Sequence, residues 1–279
     1  MKPPIGRDTK LCMSLSARPG NAGSRLHNHL YEALGLDYVY KSFSTTDLPA
    51  AVGGIRALGI RGCAISMPFK EAVIPLIDRL EASAQAIDSV NTIVNDDGAL
   101  TGYNTDYVAV RDLLARRMVD PATPFILRGS GGMAKAVVAA LRDLGFQKGL
   151  IVARNALAGQ AMADDYGFAW QADLPATGAP LLINVTPLGM EGADENALAF
   201  PESFIATSDI TFDVVALPAD TPFIRAAQKA GKQTISGAEV IVLQAVEQFV
   251  LYTGIRPSPA EIRSAADFAH GPGAAKALA

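Results

Sequence analysis

Ile126-Leu127-Arg128-Gly129-Ser130-Gly131-Gly132-Met133-Ala134-Lys135-Ala136 is the stretch that decides the fold. The apolar run from Pro124 to Leu127 reads as a short buried strand. Beyond the glycines, Val137, Val138, Leu141 and Leu144 follow a helical pattern up to a stop at Gly145. The turn between them fits G-x-G-x-x-A. Gly129 allows a tight turn, Gly131 lets a pyrophosphate approach the backbone, and Ala134 is small enough for the helix to pack on the strand. Amides at the helix start, among Ser130, Gly132 and Met133, would face the phosphates with the helix dipole behind them. Glycines also serve plain turns, so the strand–turn–helix setting is what gives the motif its force.

The next strand bears on the nucleotide. Gly149 to Ala153 is apolar and β-prone and ends in Arg154-Asn155. An NAD site usually places Asp or Glu about 20 residues after the glycines, to bind the ribose 2′-hydroxyl. Arg154 stands there instead, and a guanidinium can stack on adenine and pair with a 2′-phosphate. NADP is therefore expected ahead of NAD, although a strand-end arginine also suits plain solvent. No second basic residue follows closely.

Outward from this motif the second half alternates strand and helix, with elements near Phe125, Ala134, Leu150, Ala158, Leu181, Ile210, Phe223 and Thr234. Such alternation implies a parallel sheet covered on both faces. The first half begins with a strand from Lys10 to Ser14 and a helix from Ser24 to about Leu34. A strand from Tyr38 to Phe43 follows, then a helix capped by Thr46 or Asp47 and stopped at Gly59. Gly62 to Met67 is a third strand, and helical segments run from about Phe69 to Ile77 and from Ala82 to Ile87. Val90 to Val94 and Ala99 to Tyr103 flank an Asp-Gly hairpin turn. A helix from near Asn104 leads to the loop Met118 to Pro124. A long apolar helix from about Ala238 to Tyr252 is expected to return to the first domain, and Gly271 to Ala279 reads as a frayed tail. The expected fold is α/β: an N-terminal α/β domain over 1–107, completed by 237–279, and a Rossmann-type doubly wound domain over 108–236.

Composition narrows the partners. Apolar residues make up 49% and charged residues 19% of 279, and the net charge is −4 with no basic block, so nucleic acid is not expected as a partner. No run approaches a membrane span, and Met1 to Lys10 has no apolar core of a signal peptide. Cys12 and Cys63 lie in apolar runs, as buried thiols in a reducing cytoplasm would. His27 and His29 are two apart on a helix and do not share a face, so no metal site is expected.

Three polar stretches lie at predicted strand ends, where open α/β sheets build sites: Ser66-Met67-Pro68-Phe69-Lys70, Ser89-Val90-Asn91-Thr92 and Gly102-Tyr103-Asn104-Thr105-Asp106. Asn104 also suits a helix cap and Asp106 the helix dipole. A lysine, an asparagine and an aspartate at neighbouring strand ends would form a polar cluster in which a Lys–Asp pair exchanges a proton beside a nicotinamide.

These pieces resemble the shikimate dehydrogenase family. The resemblance rests on Ser14-Leu15-Ser16, His27-Asn28, Pro68-Phe69-Lys70, Val90-Asn91-Thr92-Ile93, Gly102 to Asp106, Gly129 to Ala136, Asn184-Val185-Thr186-Pro187-Leu188-Gly189-Met190 and Gln244-Ala245, in family order over nearly the whole chain. It implies a substrate domain, an NADP domain and a cleft between them. It implies Lys70 and Asp106 as the catalytic pair, and Ser14, Ser16, Ser66, Asn91 and Gln244 around a cyclic hydroxy acid. The cofactor would meet Gly129 to Ala134, Arg154, Asn155, Thr186 and Pro187, in a monomer or homodimer.

The departures are specific. The family usually reads Asn-Val-Thr where this chain has Ala64-Ile65-Ser66, and its tyrosine before the late Pro-x-x-Thr-Pro appears as Ala216. The segment Ala17 to Arg25 is longer than usual and adds Arg18 and Arg25, either of which could meet a carboxylate. These features resemble the shikimate dehydrogenase-like branch. The expected activity is interconversion of 3-dehydroshikimate and shikimate or a close relative. The alternatives are an NAD-linked quinate or shikimate dehydrogenase and a non-catalytic binding paralogue.

Overall fold

The computed structural model describes residues 2–271. The chain divides into two compact units: the residues up to Val108 with those from Val242 onward, and Ala109–Ile241.

The first unit contains β1 (Lys10–Ser16), α1 (Ala22–Ala33), β2 (Tyr38–Ser44), α2 (Leu48–Ala57), β3 (Gly62–Ile65), α3 (Phe69–Ala72), β4 (Arg79–Leu80), α4 (Ala82–Gln85), β5 (Thr92–Asp96), β6 (Ala99–Tyr103) and the first turn of α5 (Thr105–Arg116). Its sheet runs β2-β1-β3-β5-β6-β4. β1 is parallel to β2 and β3, and the β5–β6 hairpin reverses direction twice, so β6 again points the way of β3.

Local chemistry accounts for these elements. The Asp47 carboxylate accepts the Ala50 amide at 3.0 Å and starts α2. The hairpin turns through Asp97 and Gly98, both at positive φ, as a two-residue turn between right-twisting strands requires. Asn28 fastens α1 to β2, donating to Tyr40 O and accepting from Tyr40 N. Cys12 and Cys63 are fully buried, and burial pushes the Cys12 thiol up to about 12.

The helix expected from Phe69 to Ile77 is broken. After α3 only a single 3₁₀ turn, Ile74–Leu76, continues it. Pro75 has no amide to donate and disfavours a helical residue before it. The chain then enters β4, too short to carry a periodic signal.

The second unit holds the rest of α5, then β7 (Phe125–Arg128), α6 (Gly132–Asp143), β8 (Gly149–Val152), α7 (Ala156–Tyr166), β9 (Ala169–Gln171), β10 (Leu181–Asn184), α8 (Glu202–Thr207), β11 (Ile210–Asp213), α9 (Pro222–Lys229) and β12 (Gln233–Ile235). All six strands are parallel, in the order β12-β11-β10-β7-β8-β9, so the winding reverses between β7 and β10. This is the doubly wound α/β arrangement. Its apolar core includes Ile126, Val152, Leu182, Phe200, Phe204 and Phe223. α10 (Gly237–Thr253) begins in this unit and ends in the first, where α11 (Pro259–His270) follows it. Ser258 and Glu261 form a reciprocal capping box at the start of α11. Residues 272–279 of the expected frayed tail lie outside the described residues.

Among the described residues no helix is long and apolar enough to cross a membrane, and no group of His, Cys, Asp and Glu could hold a metal ion.

Candidate active site

In the first unit the strand directions decide which side chains meet. β1, β3 and β6 run one way and β5 runs the other. The ends of β1, β3 and β6 and the start of β5 therefore share one sheet edge. Ser16 ends β1, and Lys70, Asn91 and Asp106 follow or precede the other strands at that edge. Asn91 stands at the entrance of its strand, not at an exit.

Lys70 lies in α3, whose backbone is tied to the segment leading into β5, where Val90 N donates to Lys70 O at 2.9 Å. Its ammonium donates to Asp106 Oδ2 at 2.6 Å. The lysine side chain is 32% exposed and the aspartate 15%. Asp106 is held in the first turn of α5. One ammonium hydrogen is thus committed to the carboxylate, and the exposure leaves room for another to reach a bound oxygen.

Beside this pair is a buried amide network. Asn91 Oδ1 accepts from Thr92 Oγ1 and Thr105 N, each at 2.8 Å, and Asn91 Nδ2 donates to Thr105 Oγ1 at 3.0 Å. Thr105 Oγ1 also meets Gln244 Oε1 from α10 at 3.3 Å. Gln248, one turn further along α10, donates to Thr92 Oγ1 at 3.1 Å. Asn91 and Gln244 are thereby brought to the residue next to Asp106. Asn104 serves as the cap of α5, accepting from Tyr107 N at 3.0 Å and donating to Ser89 O at 2.9 Å.

The serines are placed differently. Ser14 faces the buried Tyr40 phenol, whereas Ser16 Oγ is buried with no hydrogen-bond partner. That orphaned hydroxyl has desolvation against it unless a ligand or water engages it. Ser66 is exposed in the turn before α3, and Arg18 and Arg25 are exposed in the loop before α1 and on α1. Ala64 and Ala216 present only methyl groups.

In the second unit Gly129 takes φ 124, and a Cβ there would stand 2.9 Å from the Val185 side chain and 3.0 Å from its backbone. Only glycine fits. Gly131 and Gly132 have open space where a Cβ would go, and Ala134 is fully buried against the strand. The residues thus form a cradle that backbone amides line and side chains leave clear, which suits a pyrophosphate.

Facing it is the loop after β10. Asn184 Nδ2 donates to Asp213 Oδ1 at 3.0 Å and to Leu188 O at 3.2 Å, and its Oδ1 accepts from Thr186 N and Oγ1 at 3.1 and 2.6 Å. Thr186 is thus fixed and Pro187 exposed. Asp213 Oδ2 accepts from Thr221 Oγ1 at 2.6 Å. Burial pushes the Asp213 carboxyl up to about 6 against the pull of these hydrogen bonds. Arg154 is exposed just past β8, and Asn155 caps α7 by accepting the Ala158 amide at 3.2 Å.

Sequence reasoning misses three polar residues here. Gln248 sits in an apolar helix, and nothing local in the sequence marks it as a partner of Thr92. Asp213 gives no local signal, because its partners are distant in sequence. Arg128 reads as the plain end of a strand, yet its charge and that of Arg154 act on each other.

Known proteins match along most of the chain. The family model for the shikimate dehydrogenase substrate binding domain matches residues 22–93. A shikimate dehydrogenase-like protein of Haemophilus influenzae is 56% identical over 95% of this chain and 98% of its own length. The NADP(+) shikimate dehydrogenase of Pelodictyon phaeoclathratiforme is 34% identical over 83% of this chain and 87% of its own. Among solved structures, a shikimate 5-dehydrogenase-like protein superposes with a TM-score of 0.94 at 56% identity, covering 95% and 99% of the two chains. Shikimate 5-dehydrogenase of Thermus thermophilus, in complex with NADP(H) and shikimate, gives 0.83 at 28% identity, covering 93% and 99%.

Proposed function

This chain belongs to the shikimate dehydrogenase family, and from that premise we propose that it is an NADP-dependent oxidoreductase interconverting a cyclic hydroxy acid, shikimate or a close relative, with its keto form. The observation that carries this reading is the Lys70–Asp106 contact of 2.6 Å beside the Asn91–Thr105–Gln244 network. A bare binding module has no need of a proton-transfer pair.

The first unit is the substrate unit and the second the cofactor unit. The Gly129 turn takes the pyrophosphate, Arg154 the adenosine end, and Thr186 and Pro187 the far side of the dinucleotide. When bound, the cofactor supplies or accepts the hydride. In the reducing direction Lys70 donates a proton from Nζ to the carbonyl oxygen, and the resulting amine regains a proton from solvent; oxidation runs the same transfer backward. Asp106 holds the ammonium in place and stabilises its charge. Ser16, Ser66, Asn91 and Gln244 orient the carboxylate and ring hydroxyls, while Ser14 is held by the Tyr40 phenol. With a methyl group at Ala64, a ring hydroxyl finds one partner fewer, at about 1–3 kcal/mol for the lost hydrogen bond. This favours a substrate related to shikimate, or weaker binding of shikimate itself.

The test follows nicotinamide absorbance with shikimate, quinate and their dehydro forms against both cofactors. Wild type is expected to turn over at least one of these with NADP. Lys70→Ala should lower turnover about 100- to 10,000-fold while NADPH affinity stays within about 2-fold. Normal turnover in that variant would overturn the role of Lys70, and a flat wild-type trace despite bound NADPH would favour a sensor.

A further inference from the structure

We propose that Arg128 and Arg154 form a two-guanidinium clamp for the 2′-phosphate of the dinucleotide, with Arg128 a specificity-determining residue. The inference rests on the NADP reading above and adds a residue to that site.

The backbone places the two arginines together. Arg128 is the last residue of β7 and pairs in register with Val152 of β8. Side chains alternate along strands, so Arg128 shares the face of Ile126, while Arg154 stands in the bend two residues past Val152. Ile126 and Val152 sit in one apolar cluster, which fixes that face as common to both. The two arginines therefore stand at the carboxyl-terminal edge of adjacent parallel strands, near enough for their charges to act on each other. In doubly wound folds the ribose 2′-substituent is recognised at the end of the strand following the glycine turn, here β8.

The electrostatics fit an anion between them. Arg128 is half-buried and donates from Nη1 to the carbonyl of Ala199. This bond orients the fork and leaves its other donors for a ligand. Among the described residues neither Arg128 nor Arg154 is paired with a carboxylate. Partial burial first, and then the charge of Arg154, press the Arg128 pKa below its ordinary value. Two like charges brought together without a counter-charge are stabilised by an oxyanion that both can bond in bidentate fashion. The 2′-phosphate is such a group, and the 2′-hydroxyl of NAD is not.

The experiment measures dissociation constants of NADPH and NADH, and of 2′,5′-ADP and 5′-ADP as fragments differing in the 2′-phosphate. The proteins are wild type, Arg128→Met and Arg128→Lys, each checked for an unchanged circular dichroism spectrum. Arg128→Met is expected to weaken NADPH and 2′,5′-ADP about 10- to 100-fold, to leave NADH and 5′-ADP within about 2-fold, and to flatten the salt dependence of NADPH binding. Arg128→Lys should recover part of that loss, and recovery also answers any fold defect in the methionine variant. Equal weakening of all four ligands, or an unchanged NADPH-to-NADH ratio, would overturn the clamp while leaving the dinucleotide site standing. If wild type bound none of the four, the dinucleotide reading itself would fall, and the clamp with it.

Discussion

Replacing Asp213 with asparagine changes how stability depends on pH, and the structure gives the size of the change. Asp213 ends β11 with no solvent exposure. Its carboxyl accepts from Asn184 Nδ2, Val215 N and Thr221 Oγ1. Burial nevertheless dominates and raises its pKa to about 6. The folded chain then holds the proton more tightly than the unfolded chain, whose carboxyl ionises near the ordinary 3.8. Stability is greatest below that value and falls as pH rises through about 6, where the folded carboxyl ionises too. At about 1.4 kcal/mol per pKa unit, the contribution lost across this window is about 3 kcal/mol. The Asp213→Asn side chain would be neutral throughout. Its oxygen can still accept from Asn184 and Val215, while the Thr221 hydroxyl loses its acceptor, at about 1 kcal/mol. Urea unfolding of both proteins from pH 4 to pH 8 is the assay. The wild type should be the more stable at pH 4, and the order should reverse by pH 7, with the variant then ahead by about 2 kcal/mol. Parallel stability curves, or a wild type gaining on the variant as pH rises, would refute the argument.

Two further outcomes are expected. Gly62→Ala should destabilise by about 1–3 kcal/mol, because its Cβ would fall 2.1 Å from the Tyr252 ring; thermal melting checks it, and Tyr252→Leu in the same chain should return part of the loss. His27 stacks on Tyr40 at 4.4 Å, and burial holds its pKa down to about 3 against a weaker opposing pull from Gln248. The fold favours the neutral ring, so this contribution is intact above pH 6.5 and is lost as pH falls toward 3. His27→Phe should flatten that acid limb by on the order of 5 kcal/mol in denaturant titrations; an unchanged limb would remove His27 as its cause.

The sequence is most readable where chemistry is local. The Gly129 turn, the Asp97-Gly98 hairpin and the Asp47 cap each depend on a few consecutive residues, and each stands where its own signal puts it. The Ser258–Glu261 capping box is equally local, yet the reading from sequence stops short of α11. Short elements such as β4 and β9 hold too few residues to show a period. The site is less readable because it is made by topology. Asn91 reaches the edge of Lys70 only because β5 runs backward, and no pattern within Val90 to Val94 announces direction. Arg128 and Arg154 are well separated along the chain, and only the β7–β8 register makes them neighbours. Ser14 and Ser16 look alike in sequence, but one faces a buried phenol and the other is left without a partner.

The first unit draws on both ends of the chain, and this has a consequence for biosynthesis. Tyr252 fills the space that Gly62 leaves, Phe249 and Tyr252 flank His27, Arg61 binds the carbonyls of Leu251 and Tyr252, and His29 meets Ser264. All these contacts wait for residues beyond Val242. During synthesis Ala109–Ile241 is made first, while His27 and Tyr31 of α1 still lack the Phe249 ring they pack against. Translation arrested after Ile241 but before Phe249 would therefore release a chain whose second unit has all its residues while α1 still lacks the aromatic partners that complete the first.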